Sequence, residues 1–108
     1  MTEQQVDDLL LKHVFEVDPA KPPQWYLDLH DDLCVTWSGL GLVVEEMEKK
    51  RPRWLCMLDQ NDNDWQAFFQ QKETYKTAEA FHQKPPMAVA IAALRAVGME
   101  IPEEEVLR

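Results

Sequence analysis

Thiols, imidazoles and carboxylates are the side chains of this sequence with chemistry to offer. Each can be judged against the spacing that chemistry demands. Cys34 follows His30 by four residues and Asp31 by three. Those types can form a nucleophile, a base and an orienting acid. No Gly-rich turn or oxyanion-type motif accompanies them, so Cys34 is read as a small buried hydrophobe. His30, Cys34, Cys56 and His82 are the zinc-type ligands. Zinc sites usually show paired ligands at short spacing, and here only His30 and Cys34 are close. Asp59-x-Asn61-x-Asn63 begins like a calcium loop. Its sixth position is Asp64 where the turn needs Gly, and its twelfth is Gln70 where a bidentate Glu is required. The stretch is read as a polar hairpin loop. No catalytic residue, metal or cofactor is expected, and the chain is read as non-enzymatic. The two cysteines form no CxxC pair and are expected to be reduced.

Charge is the more informative chemistry. The chain has 108 residues, with 20 acids against 11 bases and a net charge of −9. That balance argues against a general nucleic-acid binder or a binder of anionic membranes, both of which need clustered positive charge. The excess is uneven: net −6 over residues 1–32 and net +1 over residues 33–58. Trp25, Tyr26, Asp28, Asp31 and Asp32 combine acid with large aromatics. Solubility alone accounts for a solvated acidic surface. The functional reading is a partner-binding patch, in which aromatics anchor and carboxylates select a basic groove. Lys49-Lys50-Arg51-Pro52-Arg53 is the only basic cluster, and it is read as a helix end answering its own dipole.

The elements that must position these groups follow from periodicity. A helix is expected over Gln4–Phe15, capped by Thr2, with Val6, Leu9 or Leu10, and His13 or Val14 inward and Asp7, Asp8 and Lys12 opposite. Asp18–Pro23 holds three prolines and ends it. Trp25, Leu27 and Leu29 alternate with polar neighbours, which predicts a short extended segment packed on the domain. A second helix is expected over Trp37–Lys50, with Thr36 as cap and Trp37, Leu40, Val44 and Met47 as its apolar stripe. Gly39 and Gly41 weaken its first turn or permit a close approach to the sheet. Strands are expected at Arg53–Leu58, at Trp65–Gln70 and within Thr74–Phe81. The first two carry large apolar groups on both faces, which suits a sheet covered on both sides. A final helix starts at Pro85-Pro86 and stops at Gly98, with Met87, Ala90, Ile91, Leu94 and Val97 inward. The expectation is one α+β domain over residues 1–108, with a small antiparallel sheet of three to four strands, three helices and an acidic tail at 101–108. The longest apolar run, Met87–Leu94, is far short of the ~20 residues a membrane span needs. Met1–Gln5 has neither a basic nor an apolar region, so no secretory signal is expected and the cytosol is the expected compartment.

Val43-Val44-Glu45-Glu46-Met47, the strand pair after it, and Lys84-Pro85-Pro86-Met87-Ala88-Val89-Ala90-Ile91-Ala92-Ala93-Leu94 occur in the order of one known family. Together with Asp8–Val14 they resemble the phage ABA-sandwich domain family over about residues 6 to 100. The resemblance implies an α-β-α sandwich, a phage or prophage origin and residence in a bacterial host cell. It implies no catalytic residues. Joined to the acidity, it suggests a protein that occupies a basic surface on a host defence or nucleic-acid-binding protein, as anti-CRISPR proteins do. The alternative is a phage structural or assembly accessory that acts through self-association.

Overall fold

The computed structural model describes residues 1–29 and 32–103. Chain order begins with α1 (Glu3–His13), α2 (Gln24–Leu27) and α3 (Trp37–Lys49). It continues with β1 (Trp54–Gln60), β2 (Trp65–Gln71), β3 (Thr77–His82) and α4 (Pro85–Ala96).

Helix α1 starts in a reciprocal cap. Thr2 Oγ1 accepts from the Gln5 amide at 3.1 Å, and Gln5 Oε1 accepts from the Thr2 amide at 2.8 Å. Two otherwise unpaired donors are thereby satisfied. In α3 the Thr36 hydroxyl accepts from the Gly39 amide at 2.9 Å, the expected cap. The far end of α3 is closed by its basic residues. Arg51 reaches the carbonyls of Glu48, Lys49 and Lys50, and Lys50 Nζ donates to the Val14 carbonyl at 2.9 Å. The basic cluster is thus a helix terminus, as its position implied.

The strands form an antiparallel meander in the order β1-β2-β3. Cys56 pairs with Phe69 and Phe69 with Ala78; one step along, Met57 pairs with Phe68 and Phe68 with Glu79. Alternation therefore places Trp54, Cys56, Leu58, Ala67, Phe69, Ala78 and Ala80 on one face. Helix α4 packs on β2 and β3 at that face, α3 packs on β1 and on α4, and α1 packs on α4. Every residue of α4 from Pro86 to Leu94 is buried. A helix apolar on all sides belongs in the interior, and its alanines let its neighbours come close. The expected one-sided stripe is therefore replaced by burial all round.

The α+β class and the small three-stranded antiparallel sheet are as the sequence implied. Other details differ. The 24–27 segment is a turn of helix rather than extended, because Pro23 supplies a helix-compatible start and its carbonyl accepts from Tyr26 and Leu27. That segment makes the helix count four among the described residues. The buried line of α3 is Gly39, Val43 and Met47, which leaves Trp37 exposed. A Cβ on Gly39 would lie 2.1 Å from the Leu33 carbonyl oxygen, so the bare glycine lets α3 rotate onto the Leu33 turn rather than the sheet. The second face of the sheet is not covered by helix: Leu55 is 40% and Met57 55% exposed.

Candidate functional site

Acid and aromatic groups gather where α1, α2 and the 32–34 turn meet. Asp7 stands at the centre. Its spacing to Leu10, Leu11 and Val14 puts it on the buried stripe of α1, and it is fully buried. The sequence reading had it opposite, facing solvent. Burial of a carboxylate demands partners, and three donors supply them. The Tyr26 hydroxyl and the Leu33 amide donate to Oδ2, each at 2.8 Å, and the Cys34 amide donates to Oδ1 at 3.1 Å. Asp7 thus pins the 26–34 region to α1. The missed signal was its helical spacing, i to i+3, i+4 and i+7, on an apolar line.

This cluster sets the character of its neighbours. The Cys34 thiol donates to the Glu3 carbonyl at 3.5 Å. Burial first, then the negative charge of Asp7, pushes the Cys34 thiol far above its ordinary range. Asp32 and Glu3 push in the same direction. A nucleophilic cysteine needs the reverse, a lowered value in an electropositive and accessible place. Burial and the bond to Asp7 likewise raise the Tyr26 hydroxyl.

The five residues of the expected patch have separate fates. Tyr26 is a strut: its hydroxyl is committed to Asp7 and its ring meets Trp25 edge-on at 6.2 Å. Trp25 keeps an exposed edge and packs on Phe15 with ring centres 4.9 Å apart. Asp28 is exposed and accepts from Gln24 within its own helical turn at 2.8 Å. Asp32 is half-buried, and its carbonyl accepts from the Val35 amide. Asp31 and His30 lie outside the described residues. Beside Trp25 runs a shallow groove of about 210 Å³ lined by Phe15, Trp25, Leu42, Glu45, Glu46 and Lys49. Glu45 and Glu46 were legible only as part of a helix motif, since nothing local says that α3 comes to lie beside Trp25.

Among the described residues the other constellations do not assemble. Cys34 lies against α1, Cys56 is in β1, and His82 Nδ1 accepts from the Lys84 amide at 2.9 Å. Burial, and then Glu48, pushes the Cys56 thiol up to about 11. In the 61–64 turn Asp64 is engaged by Asn61, backbone to backbone at 2.8 Å and side chain to side chain at 3.1 Å. Among the described residues no group of three or more His, Cys, Asp or Glu is placed to hold a metal ion. Nor is any described helix long and apolar enough to cross a membrane. No protein-family model, curated protein or solved structure matches this chain.

Proposed function

We propose that this chain is a non-enzymatic binding protein of phage origin that engages a basic surface on a host defence or nucleic-acid-binding protein, in the manner of an anti-CRISPR inhibitor. The phage origin and a place in the host cytosol rest on the resemblance of Val43–Met47 and Lys84–Leu94 to the phage ABA-sandwich family. One observation carries the binding reading: the Trp25 groove, where an anchored aromatic edge is rimmed by Glu45 and Glu46, with exposed Leu27 and Asp28 two and three residues along the chain from Trp25. Aromatic faces and carboxylates together suit the guanidinium or ammonium group of a partner. The rim is already half-engaged, because Lys49 lies 3.5 Å from Glu45 and 3.9 Å from Glu46. Such exposed pairs are worth only about 0.3–0.5 kcal/mol, so an incoming arginine displaces Lys49 at small cost.

The test uses wild-type protein and the double variant Asp28→Lys with Glu45→Lys, both at exposed positions. Capture of a basic host protein at low salt, lost at high salt and lost in the double variant, is the expected result. Capture that ignores the double variant overturns the assignment of this surface. A second reading, self-association as an assembly accessory, is favoured by the open apolar face of the sheet.

A further inference from the structure

The face of the sheet turned away from the helices has an order that neither solubility nor packing requires. Alternation along β1 puts Arg53, Leu55, Met57 and Asp59 on it in sequence. Along β2 the matching line is Asp64, Gln66, Phe68, Gln70 and Lys72. Leu55 pairs with Gln70, Met57 with Phe68 and Asp59 with Gln66, while the Lys72 amide donates to the Arg53 carbonyl at 3.0 Å. One end of the face is therefore basic, with Arg53 and Lys72 beside Arg51 and one acid, Glu73, around a hollow of about 300 Å³. The middle is apolar, with Leu55 40% and Met57 55% exposed and Phe68 between them and Glu79. The opposite end carries three acids, Asp59, Asp62 and Asp64, with Asn61 donating to Asp64 at 3.1 Å and with Phe81 and one base, Lys84, lining the hollow beside Asp64. No ion pair or hydrogen bond engages the side chains of Arg53 and Lys72 among the described residues.

We infer that this face is the contact between two copies of the chain, stacked sheet on sheet with their strands antiparallel. The inference rests on the self-association reading and names its surface and orientation. A twofold axis relating two facing sheets must lie in the plane between them, and that leaves two simple choices. An axis along the strands sets basic end over basic end. An axis across the strands sets Arg53 and Lys72 of each copy over Asp59 and Asp64 of the other, with Met57 and Phe68 near the centre. Charge selects the second, and the contact is self-complementary, as a twofold interface must be. Stacked sheets about 10 Å apart bring facing side chains into contact. Three strands of this length offer a face of about 15 by 23 Å, smaller than the roughly 800 Å² a partner gives in a standard interface. The dimer is accordingly weak and concentration-dependent. One like-charge meeting opposes it: Glu79 of each copy lies near the axis, held by Gln66 at 2.8 Å.

Sedimentation equilibrium over a wide concentration range decides the matter. The wild-type chain should dimerise reversibly. Met57→Lys, at an exposed position, should reduce association by about tenfold or more while the circular dichroism spectrum and the melting temperature stay in place. Reversal of one end, Arg53→Glu with Lys72→Glu, should weaken the dimer. Reversal of both ends, adding Asp59→Lys with Asp64→Lys, should restore it. Glu79→Gln should tighten it. A chain that stays monomeric at every concentration overturns both this inference and the self-association reading. Association that survives Met57→Lys overturns this face and leaves self-association standing. Loss with Met57→Lys but no response to the charge reversals overturns the antiparallel orientation.

Discussion

Asp7 shows how one residue can organise the region around the candidate site. Its carboxylate takes three donors in a place without water contact. Asp7→Ala leaves the Leu33 and Cys34 amides and the Tyr26 hydroxyl without their acceptor, and should cost about 3–5 kcal/mol in denaturant unfolding. Asp7→Asn keeps the shape but turns an NH₂ group toward donors, so it should also destabilise, whereas Tyr26→Phe removes one donor and should cost about 1 kcal/mol. The raised Cys34 and Tyr26 groups give a pH dependence of definite sign. Both are held protonated in the fold, whereas the unfolded chain ionises them near pH 8.5 and 10, by their ordinary values of about 8.5 and about 10. The unfolded state then binds fewer protons, so stability is full below about pH 8 and falls as pH rises beyond it. Thermal melts between neutral and alkaline pH should show this decline, and Cys34→Ala should make its first part shallower. A melting temperature that rises with pH in that range would contradict the assignment.

At the scale of elements, the two glycines of α3 are a matched pair with opposite expectations. Gly39 is buried, and any Cβ there would collide with the backbone of Leu33. Gly39→Ala should therefore destabilise by several kcal/mol, about 2–4 on the usual scale for overpacked sites. Gly41 is exposed with nothing within 4 Å of a Cβ. Gly41→Ala should stabilise by about 0.5–1 kcal/mol, the ordinary helical preference of Ala over Gly. Chemical denaturation of both variants checks the pair. The elements themselves were largely legible. Thr2 and Thr36 mark starts by accepting from local amides, Pro85-Pro86 marks another by its fixed φ and missing N–H, and Asn61–Asp64 marks a turn, so each acts on its own local backbone. The α2 segment was not legible. Period-two alternation over Trp25–Leu29 also fits a single helical turn, and so short a window cannot separate the two periods.

For the whole molecule, the net charge of −9 acts on two balances at once. It makes the compact chain repel itself, and screening should relieve that repulsion. Moderate salt should therefore raise the melting temperature slightly. In the proposed dimer the same ions screen the attraction between the charged ends, so the charge reversals at those ends should matter less in that salt. Melting of the wild-type chain and sedimentation of the charge-reversed variants, each with and without salt, would separate the two effects.

The sequence by itself determined every element but α2, the hairpin, the helix ends and the α+β class, since those depend on caps, prolines and short-range periodicity. It also determined that acid is concentrated in the first third and that the basic cluster closes a helix. Only the tertiary structure decided which groups meet. Asp7 turned inward because α1 presents it to the Tyr26 and Leu33–Cys34 backbone region, nineteen or more residues away. The Trp25 groove joined residues of the 15–25 region to α3. The large apolar residues on both faces of the strands were visible in sequence, but which face the helices cover depends on where α3 and α4 dock. The polar ends of the face they leave open came from strand register. These are contacts between distant segments, and no local pattern encodes them.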